Sequence, residues 1–314
     1  MDKIKRYENL DGIKSWKQFR DFIQWRKERF SKKKDLTYRV PREENPEIDY
    51  LHVNRPEVTI TWIGHSTFLI QCGGLNIITD PVRASYMANE RRLTAPGILL
   101  KDLPAIDIVL ISHSHYDHLH IPSIRGLKGN PILFVPEGLK SFMNLKGFTR
   151  VEEYVWWSGQ LHNEIEFTFV PAQHWTRRTL WDMNASHWGG WVIKCQDLSI
   201  YFAGDSAYFR GFKQIGEKFP WIDYAILPIG CYEPEWFMSL QHTTPEEAVQ
   251  AYIDLGARYF IPMHFSSFRL ADDTPKEALD RLHTTWVNNG LEPSSLLVGK
   301  HGETFRCSEQ KKYQ

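Results

Sequence analysis

Beyond residue 57 the apolar residues of this chain fall in short runs bounded by turn-forming residues, as the strands of a part-buried sheet require. The first three runs are Val58–Trp62, Thr67–Gln71 and Asn76–Thr79, and Asp80-Pro81 closes the third. Later runs at Ile106–Ile111, Ile132–Val135, Ile165–Pro171, Leu198–Ala203 and Tyr259–Met263 predict further strands. Ile121–Leu127 and Glu137–Asn144 predict short helices beside them. Two longer helices announce their own starts. Thr244-Pro245-Glu246-Glu247 and Thr274-Pro275-Lys276-Glu277 each set Thr at an N-cap, Pro at the first helical position and Glu at the third. They are expected to run to about Leu255 and Asn288. Strands followed by alternating strands and helices, twice over, predict an α/β chain, built either as an αβ/βα sandwich or as a doubly wound sheet.

Residues 1–57 differ in character and predict an N-terminal extension ahead of one domain at 58–314. Trp16, Phe19, Ile23 and Phe30 lie near one face of a predicted helix, Phe22 and Trp25 widen that face, and Lys32, Lys33 and Lys34 follow. Two readings compete. The helix packs its aromatic face on the domain and leaves its lysines solvated, or it is a basic amphipathic helix lying at an anionic membrane surface. The lysines alone make a marginal anchor, since each basic residue near such a surface contributes only about 1 kcal/mol.

Composition narrows the class. At 314 residues and 42% hydrophobic content the chain buries a large core. Its 38 basic residues balance 38 acidic ones, so there is no electrostatic footprint for nucleic acid, which weighs against a ribonuclease. Cys72, Cys195, Cys231 and Cys307 have no CxxC spacing and fit buried, reduced thiols. No run approaches a membrane span and no apolar signal core opens the chain, so a cytoplasmic location, peripheral on a membrane at most, is expected.

The chemistry concentrates at His113-Ser-His115-Tyr-Asp117-His118, directly after the apolar run Ile106–Ile111. A loop at the C-terminal end of a buried strand is where α/β proteins usually place their sites. Imidazole nitrogens and a carboxylate oxygen are ligands that zinc prefers, and four of them within six residues suit a metal pair.

This motif resembles the signature of the metallo-β-lactamase fold superfamily, whose further ligands follow later strands. His174 follows Ile165–Pro171, Asp205 follows Leu198–Ala203, and His264 follows Tyr259–Met263. The resemblance implies a four-layer αβ/βα sandwich and so decides between the two architectures. It also implies two zinc ions per chain: His113, His115 and His174 on the first, Asp117, His118 and His264 on the second, and Asp205 bridging them. Within the superfamily, Gln173-His-Trp175, Tyr232-Glu-Pro-Glu-Trp-Phe-Met238 and Gln241-His-Thr-Thr-Pro-Glu-Glu-Ala248 are similar to the N-acyl-phosphatidylethanolamine-hydrolysing phospholipase D family, and the match runs across roughly Val58 to Phe305. It implies a phosphodiesterase of phospholipase D type, releasing N-acylethanolamine and phosphatidic acid. Asp117 then handles the proton of the attacking water, while Tyr116, Gln241 and His242 either position the phosphate and leaving group or support the ligands. The partners expected are a phospholipid or another phosphodiester, with no nucleic acid; a membrane surface and a homodimer stay open. Alternatives are a metal-dependent lactonase on the same fold and a non-catalytic metal-bound scaffold.

Other residues carry weaker expectations. His65 is expected to orient Asp80 or a ligand, and His52 to lie on the surface; His120, His162, His187, His283 and His301 have no spacing logic. Trp156, Trp157, Trp175, Trp181 and Trp188 wall an acyl-chain cavity or pack in the core. Residues Trp175–Gly189, with Arg177 and Arg178, are expected to form a lid or rim.

Overall fold

Alternation along the strands sorts their side chains into two layers of core. In the computed structural model, which describes residues 5–15, 17–31 and 33–307, a seven-stranded sheet runs in the order Thr304–Arg306, Thr59–Gly64, Thr67–Cys72, Leu75–Thr79, Ile106–Leu110, Gly129–Pro136, Val151–Tyr154. A six-stranded sheet runs Tyr259–Met263, Tyr224–Pro228, Leu198–Phe202, Gly190–Cys195, Ile165–Val170, Gly159–His162. Ile60, Phe68, Ile70, Ile77, Ile108, Leu110 and Phe134 of the first sheet share one buried cluster with Phe167, Phe169, Trp191, Ile193, Ile200 and Phe202 of the second. Leu69, Ile78, Val109, Leu133 and Val135 point the other way and pack with Leu51, Ile121, Ile124 and Met143 from helices. On the far side of the second sheet lie the helices Gly211–Lys218, Pro245–Leu255 and Pro275–Asn288, whose Phe212, Ile215, Val249, Leu255, Leu279 and Leu282 join the central cluster. The layers are therefore helix, sheet, sheet, helix, as the motif resemblance implies.

Strand direction sets where chemistry can occur. Thr59–Gly64 and Leu75–Thr79 are both antiparallel to Thr67–Cys72, and Ile106–Leu110 is parallel to Leu75–Thr79. Gly129–Pro136 and Val151–Tyr154 continue in parallel, so five strands of the first sheet end on one edge. In the second sheet, Ile165–Val170 and Leu198–Phe202 are both antiparallel to Gly190–Cys195, while Tyr224–Pro228 and Tyr259–Met263 run parallel to Leu198–Phe202. Four strands end together there, and the loops leaving both edges meet.

Both long helices start where the Thr-Pro-X-Glu pattern predicts. Thr244 accepts from Glu247 N, Glu247 accepts in return from Thr244 N, and Thr274 accepts from Glu277 N. The helix expected from Glu137 begins later, at Lys140. Gly138 sits at φ 94, and Glu153 of a neighbouring strand accepts from Gly138 N and Lys140 N, so the acid at this helix start comes from elsewhere in the chain. The polar edge strand Gly159–His162 carries no apolar run to betray it. All four cysteines are buried and unpaired.

The N-terminal helix, α1, spans Phe19–Ser31; Trp16 and Lys32 lie outside the described residues. Its packing departs from the first of the two readings, in which the whole aromatic face docks on the domain. Phe19 and Phe30, on the predicted docking face, are 77% and 81% exposed, and Phe22 and Ile23 are exposed too, while Trp25 alone is buried. Trp25 stacks on Phe237 with centroids 5.1 Å apart and donates to Asp272, so the one ring that is both flat and a donor makes the anchor. Lys34 is not solvated but bonds Glu233 and Glu277. Trp25→Ala should therefore free α1 from the domain while the sandwich melts within a few degrees of the parent. Amide exchange across 19–31 rising towards unprotected rates, with the strand amides unchanged, checks this.

Candidate metal centre

The convergent loops carry every residue of the sequence-derived ligand set into one buried cluster. His113 Nε2 faces His115 Nδ1 at 2.9 Å, and His115 Nδ1 faces His174 Nε2 at 3.1 Å. Beside this trio, His118 Nε2 and His264 Nε2 are 3.2 Å apart, and Asp117 Oδ2 lies 3.3 Å from His264 Nε2. Asp205 Oδ2 reaches both groups, at 3.1 Å from His118 Nε2, 3.3 Å from His264 Nε2, and 3.9 Å from His113 and His174 Nε2.

The tautomers follow from outer partners. His113 Nδ1 donates to Ser112 Oγ, which donates to Asp80 Oδ2. His118 Nδ1 donates to Asp80 Oδ2 at 2.7 Å, and His174 Nδ1 to the Gln241 carbonyl at 2.8 Å. His113 and His174 then turn a bare Nε2 lone pair inward, while His118 Nε2 faces the Asp205 and Asp117 carboxylates. Bare nitrogens facing one another repel unless a cation lies among them. The buried Asp205 Oδ1 and His242 Nδ1 have no partner in the protein either. Imidazoles, two carboxylates and this convergence fit a divalent transition metal.

Electrostatics agree with that fit. Burial, reinforced by neighbouring imidazoles, holds His115 down to about 3 and His174 to about 4, and pushes His113 and His242 well below the ordinary histidine range. These rings are neutral, the form in which an imidazole can donate to a cation. Burial would lower His118 as well, but the Asp205 and Asp117 carboxylates override it and raise this ring well above its usual value. Burial likewise opposes ionisation of Asp117 and Asp205, yet the surrounding imidazoles keep both ionised. The pair of carboxylates demands positive charge at this point.

Backbone strain gathers here. His65, Asp80 and His264 all have positive φ, at 56°, 33° and 65°, a conformation that costs a non-glycine residue on the order of 1 kcal/mol or more. Gly204, just before Asp205, sits at φ 62, and a Cβ there would lie 2.5 Å from Ser112 Cβ. Only glycine lets that strand end close on the first sheet.

The remaining predicted residues divide. His65 Nε2 donates to Asp117 Oδ2 at 3.2 Å, so it orients a ligand, whereas Asp80 serves His118 and Ser112. His242 joins the cluster, its Nδ1 3.9 Å from Asp205 Oδ2. Gln241 stands behind it: Trp175 Nε1 donates to its Oε1, its Nε2 donates to Phe237 O, and its carbonyl holds His174. Tyr116 is half exposed, with Arg178 4.0 Å above its ring, and donates to Arg178 O. Arg178 Nη1 donates to Ser114 O and Leu119 O, so the Trp175–Gly189 span is tied directly to the metal-motif loop and forms its rim. A cavity of about 530 Å³ opens beside the cluster, lined by Tyr86, Met87, Ala88, His115, Tyr116, Asp117 and His120. Of the five tryptophans only Trp175 approaches the ligands, its ring 4.7 Å from that of His115; Trp156 and Trp188 pack together against His187, and Trp181 is exposed. His301 is buried and bonded to Ser266 and Ala95 O, and exposed His52 meets Asp102 O. Asn9, which no motif singles out, also reaches the centre, through the backbone of His174.

Comparison with known proteins agrees with this geometry. Residues 75–265 match the family model described as a β-lactamase superfamily domain. The chain is 34% identical over 272 residues to N-acyl-phosphatidylethanolamine-hydrolyzing phospholipase D 1 of Caenorhabditis elegans, covering 80% of this chain and 76% of the relative. It is 34% identical over 238 residues to the mitochondrial N-acyl-phosphatidylethanolamine-hydrolyzing phospholipase D of Saccharomyces cerevisiae, but spans only 51% of that protein. The solved structure of Igni18, a metallo hydrolase from the archaeon Ignicoccus hospitalis, shares the fold with a TM-score of 0.60 at 22% identity, covering 80% of this chain and 98% of that one. With its histidine- and aspartate-bearing loops at the joint edge of two sheets, the chain belongs to the β-lactamase superfamily of metal-dependent hydrolases, in the branch of the N-acyl-phosphatidylethanolamine-hydrolyzing phospholipase D relatives.

Proposed function

We propose that this protein is a two-zinc phosphodiesterase of phospholipase D type, cleaving N-acyl-phosphatidylethanolamine-like glycerophospholipids to N-acylethanolamine and phosphatidic acid. The observation that carries the reading is Asp205 Oδ2, which lies within 3.9 Å of imidazole nitrogens from both donor groups. His113, His115 and His174 would hold one ion, Asp117, His118 and His264 the other, with Asp205 shared. When bound, the ions supply Lewis acidity and an activated water.

The side chains do the rest. Asp117 Oδ2, fixed by His65, faces the adjacent cavity and is placed to accept a proton from water attacking phosphorus. His242 Nδ1, buried and unpartnered, is placed to orient a phosphate oxygen as a neutral imidazole, and the proton Asp117 takes from the water is the one the leaving alkoxide requires. Gln241 acts through His174, and Tyr116 shapes the rim. The cavity's wall of Tyr86, Met87 and Ala88 suits an apolar chain next to the scissile group.

A lipid substrate calls for approach to a bilayer. Among the described residues no helix is long and apolar enough to cross one. The stripe Phe19, Phe22, Ile23 and Phe30 on α1 faces solvent beside exposed Arg20, Arg26 and Lys27, a combination suited to peripheral contact with anionic lipid.

Three outcomes are expected. The purified chain carries two zinc ions, and Asp205→Ala loses more metal than His115→Ala; one tight ion with His264 remote from it would end the two-metal assignment. In oxygen-18 water, phosphatidic acid takes one labelled oxygen and the released amide alcohol none, while Asp117→Asn lowers kcat by about 10² or more. Label in the alcohol, or lactone turnover with every phosphodiester inert, would sink the mechanism. Phe19→Gln, Ile23→Gln and Phe30→Gln together weaken binding to phosphatidylserine vesicles but spare hydrolysis of a short soluble phosphodiester. Binding should also fall with salt, because charge is screened over about 8 Å at physiological ionic strength.

A further inference from the structure

His174 lies beyond the end of its strand, where its own backbone N–H and C=O have no ladder neighbour. Both groups are met by one side chain from the other end of the sequence. Asn9 Oδ1 accepts from His174 N at 3.0 Å, and Asn9 Nδ2 lies 2.9 Å from His174 O. The same amide oxygen accepts from Trp188 Nε1 at 3.0 Å, and its nitrogen is also within 2.9 Å of Ile13 O and Ser15 Oγ. Asn9 is 7% exposed, so these bonds form away from water, where a backbone group left unpaired is costly. Only an amide offers a donor and an acceptor at this spacing.

The segment bearing Asn9 is fixed at several points. Tyr7 N donates to Asn184 O, the Tyr7 ring stacks on His187 with centroids 4.6 Å apart, and Arg210 forks onto Asp11 at 2.7 and 2.8 Å. Arg6 donates to Trp181 O and Met183 O. Residues 6–15 thus form a strap across the rim loop, with Asn9 reaching inward. With its main chain held by Asn9 and its Nδ1 by Gln241 O, His174 has a single direction left for Nε2, towards His115 and Asp205.

We propose that Asn9 is a positioning residue for the metal centre, and that the N-terminal strap completes the site holding His174. The inference rests on the metal assignment proposed above. Groups that orient metal-bound histidines typically change metal affinity by about 10- to 100-fold when removed. That factor is expected here for one ion of the two.

The test uses the full chain loaded with zinc, as wild type, Asn9→Ala, Asn9→Asp and Val249→Ala, the last a core substitution on the helix Pro245–Leu255. Zinc per chain and the rate of zinc transfer to a chromogenic chelator are measured, with kcat on a soluble phosphodiester alongside. Asn9→Ala should release one zinc about 10- to 100-fold faster and leave the second at the wild-type rate, and excess zinc should restore kcat. Asn9→Asp keeps the acceptor for His174 N but sets a carboxylate on His174 O, and should shift the same ion in the same direction. Wild-type release from both Asn9 variants would overturn the proposal. So would equal acceleration of both ions, reproduced by Val249→Ala at a matched loss of melting temperature. Fewer than two zincs on the wild-type chain would fail the two-metal reading instead, and the Asn9 comparison would still report on whichever ion His174 holds.

Discussion

Two ionised carboxylates, Asp117 and Asp205, lie among the imidazoles of His65, His113, His115, His118, His174, His242 and His264 where little water reaches them. Taking a carboxylate out of water costs several kcal/mol unless opposite charge and hydrogen bonds replace the lost hydration. Much of the surrounding structure answers that cost. Asp80, Ser112 and the Gln241 carbonyl turn imidazole protons outward, and His65 donates to Asp117. Among the described residues the ion-pair partners of Asp117 and Asp205 are all imidazoles, and a divalent cation would supply the balancing charge.

This demand explains why strain is stored at strand ends. Positive φ at His65, Asp80 and His264 bends the chain sharply as it leaves the sheet edge, returning each side chain over the junction of the two sheets. The sandwich can carry these conformations because its inner faces are nearly dry: Trp62, Phe68, Phe134, Phe169, Trp191 and Phe202 are fully buried just below the site. Packing there fixes the strand ends, and the strand ends fix the donors.

The legible parts of the sequence were those with short-range signals. Apolar runs locate eight of the strands, though not Gly190–Cys195 or Tyr224–Pro228 in the second sheet, and Thr-Pro-X-Glu locates both long helices because the cap is local. The dense His-X-His-X-Asp-His motif, with the family resemblance for the later ligands, leads to residues that do converge. Long-range pairings were not legible. Glu153 starts a helix from another strand, Asp80 serves two ligand loops, and Asn9 lies 165 residues from the histidine it holds. The aromatic stripe of α1 reads as a docking face, yet Trp25 makes the anchor, because pattern shows amphipathicity but not which side meets the domain.

A division of labour follows from where each part sits. The donors come from loops at sheet edges, elements whose positions any sandwich of this topology shares. The cavity wall at Tyr86–Met87, the rim loop pinned by Arg178 to Ser114 and Leu119, and the strap through Asn9 are all additions outside the two sheets. The rim and the strap touch the centre through short hydrogen-bonded routes: Arg178 to the motif loop and Trp175 to Gln241 from the rim, Asn9 to His174 from the strap. Such additions alter the shape around the scissile bond while the donor geometry stays under the control of the strands. The strap differs from the other two in reaching the main chain of His174 itself, so under the proposed metal assignment a change in the N-terminal segment would act on the donor cluster and not merely on access to it.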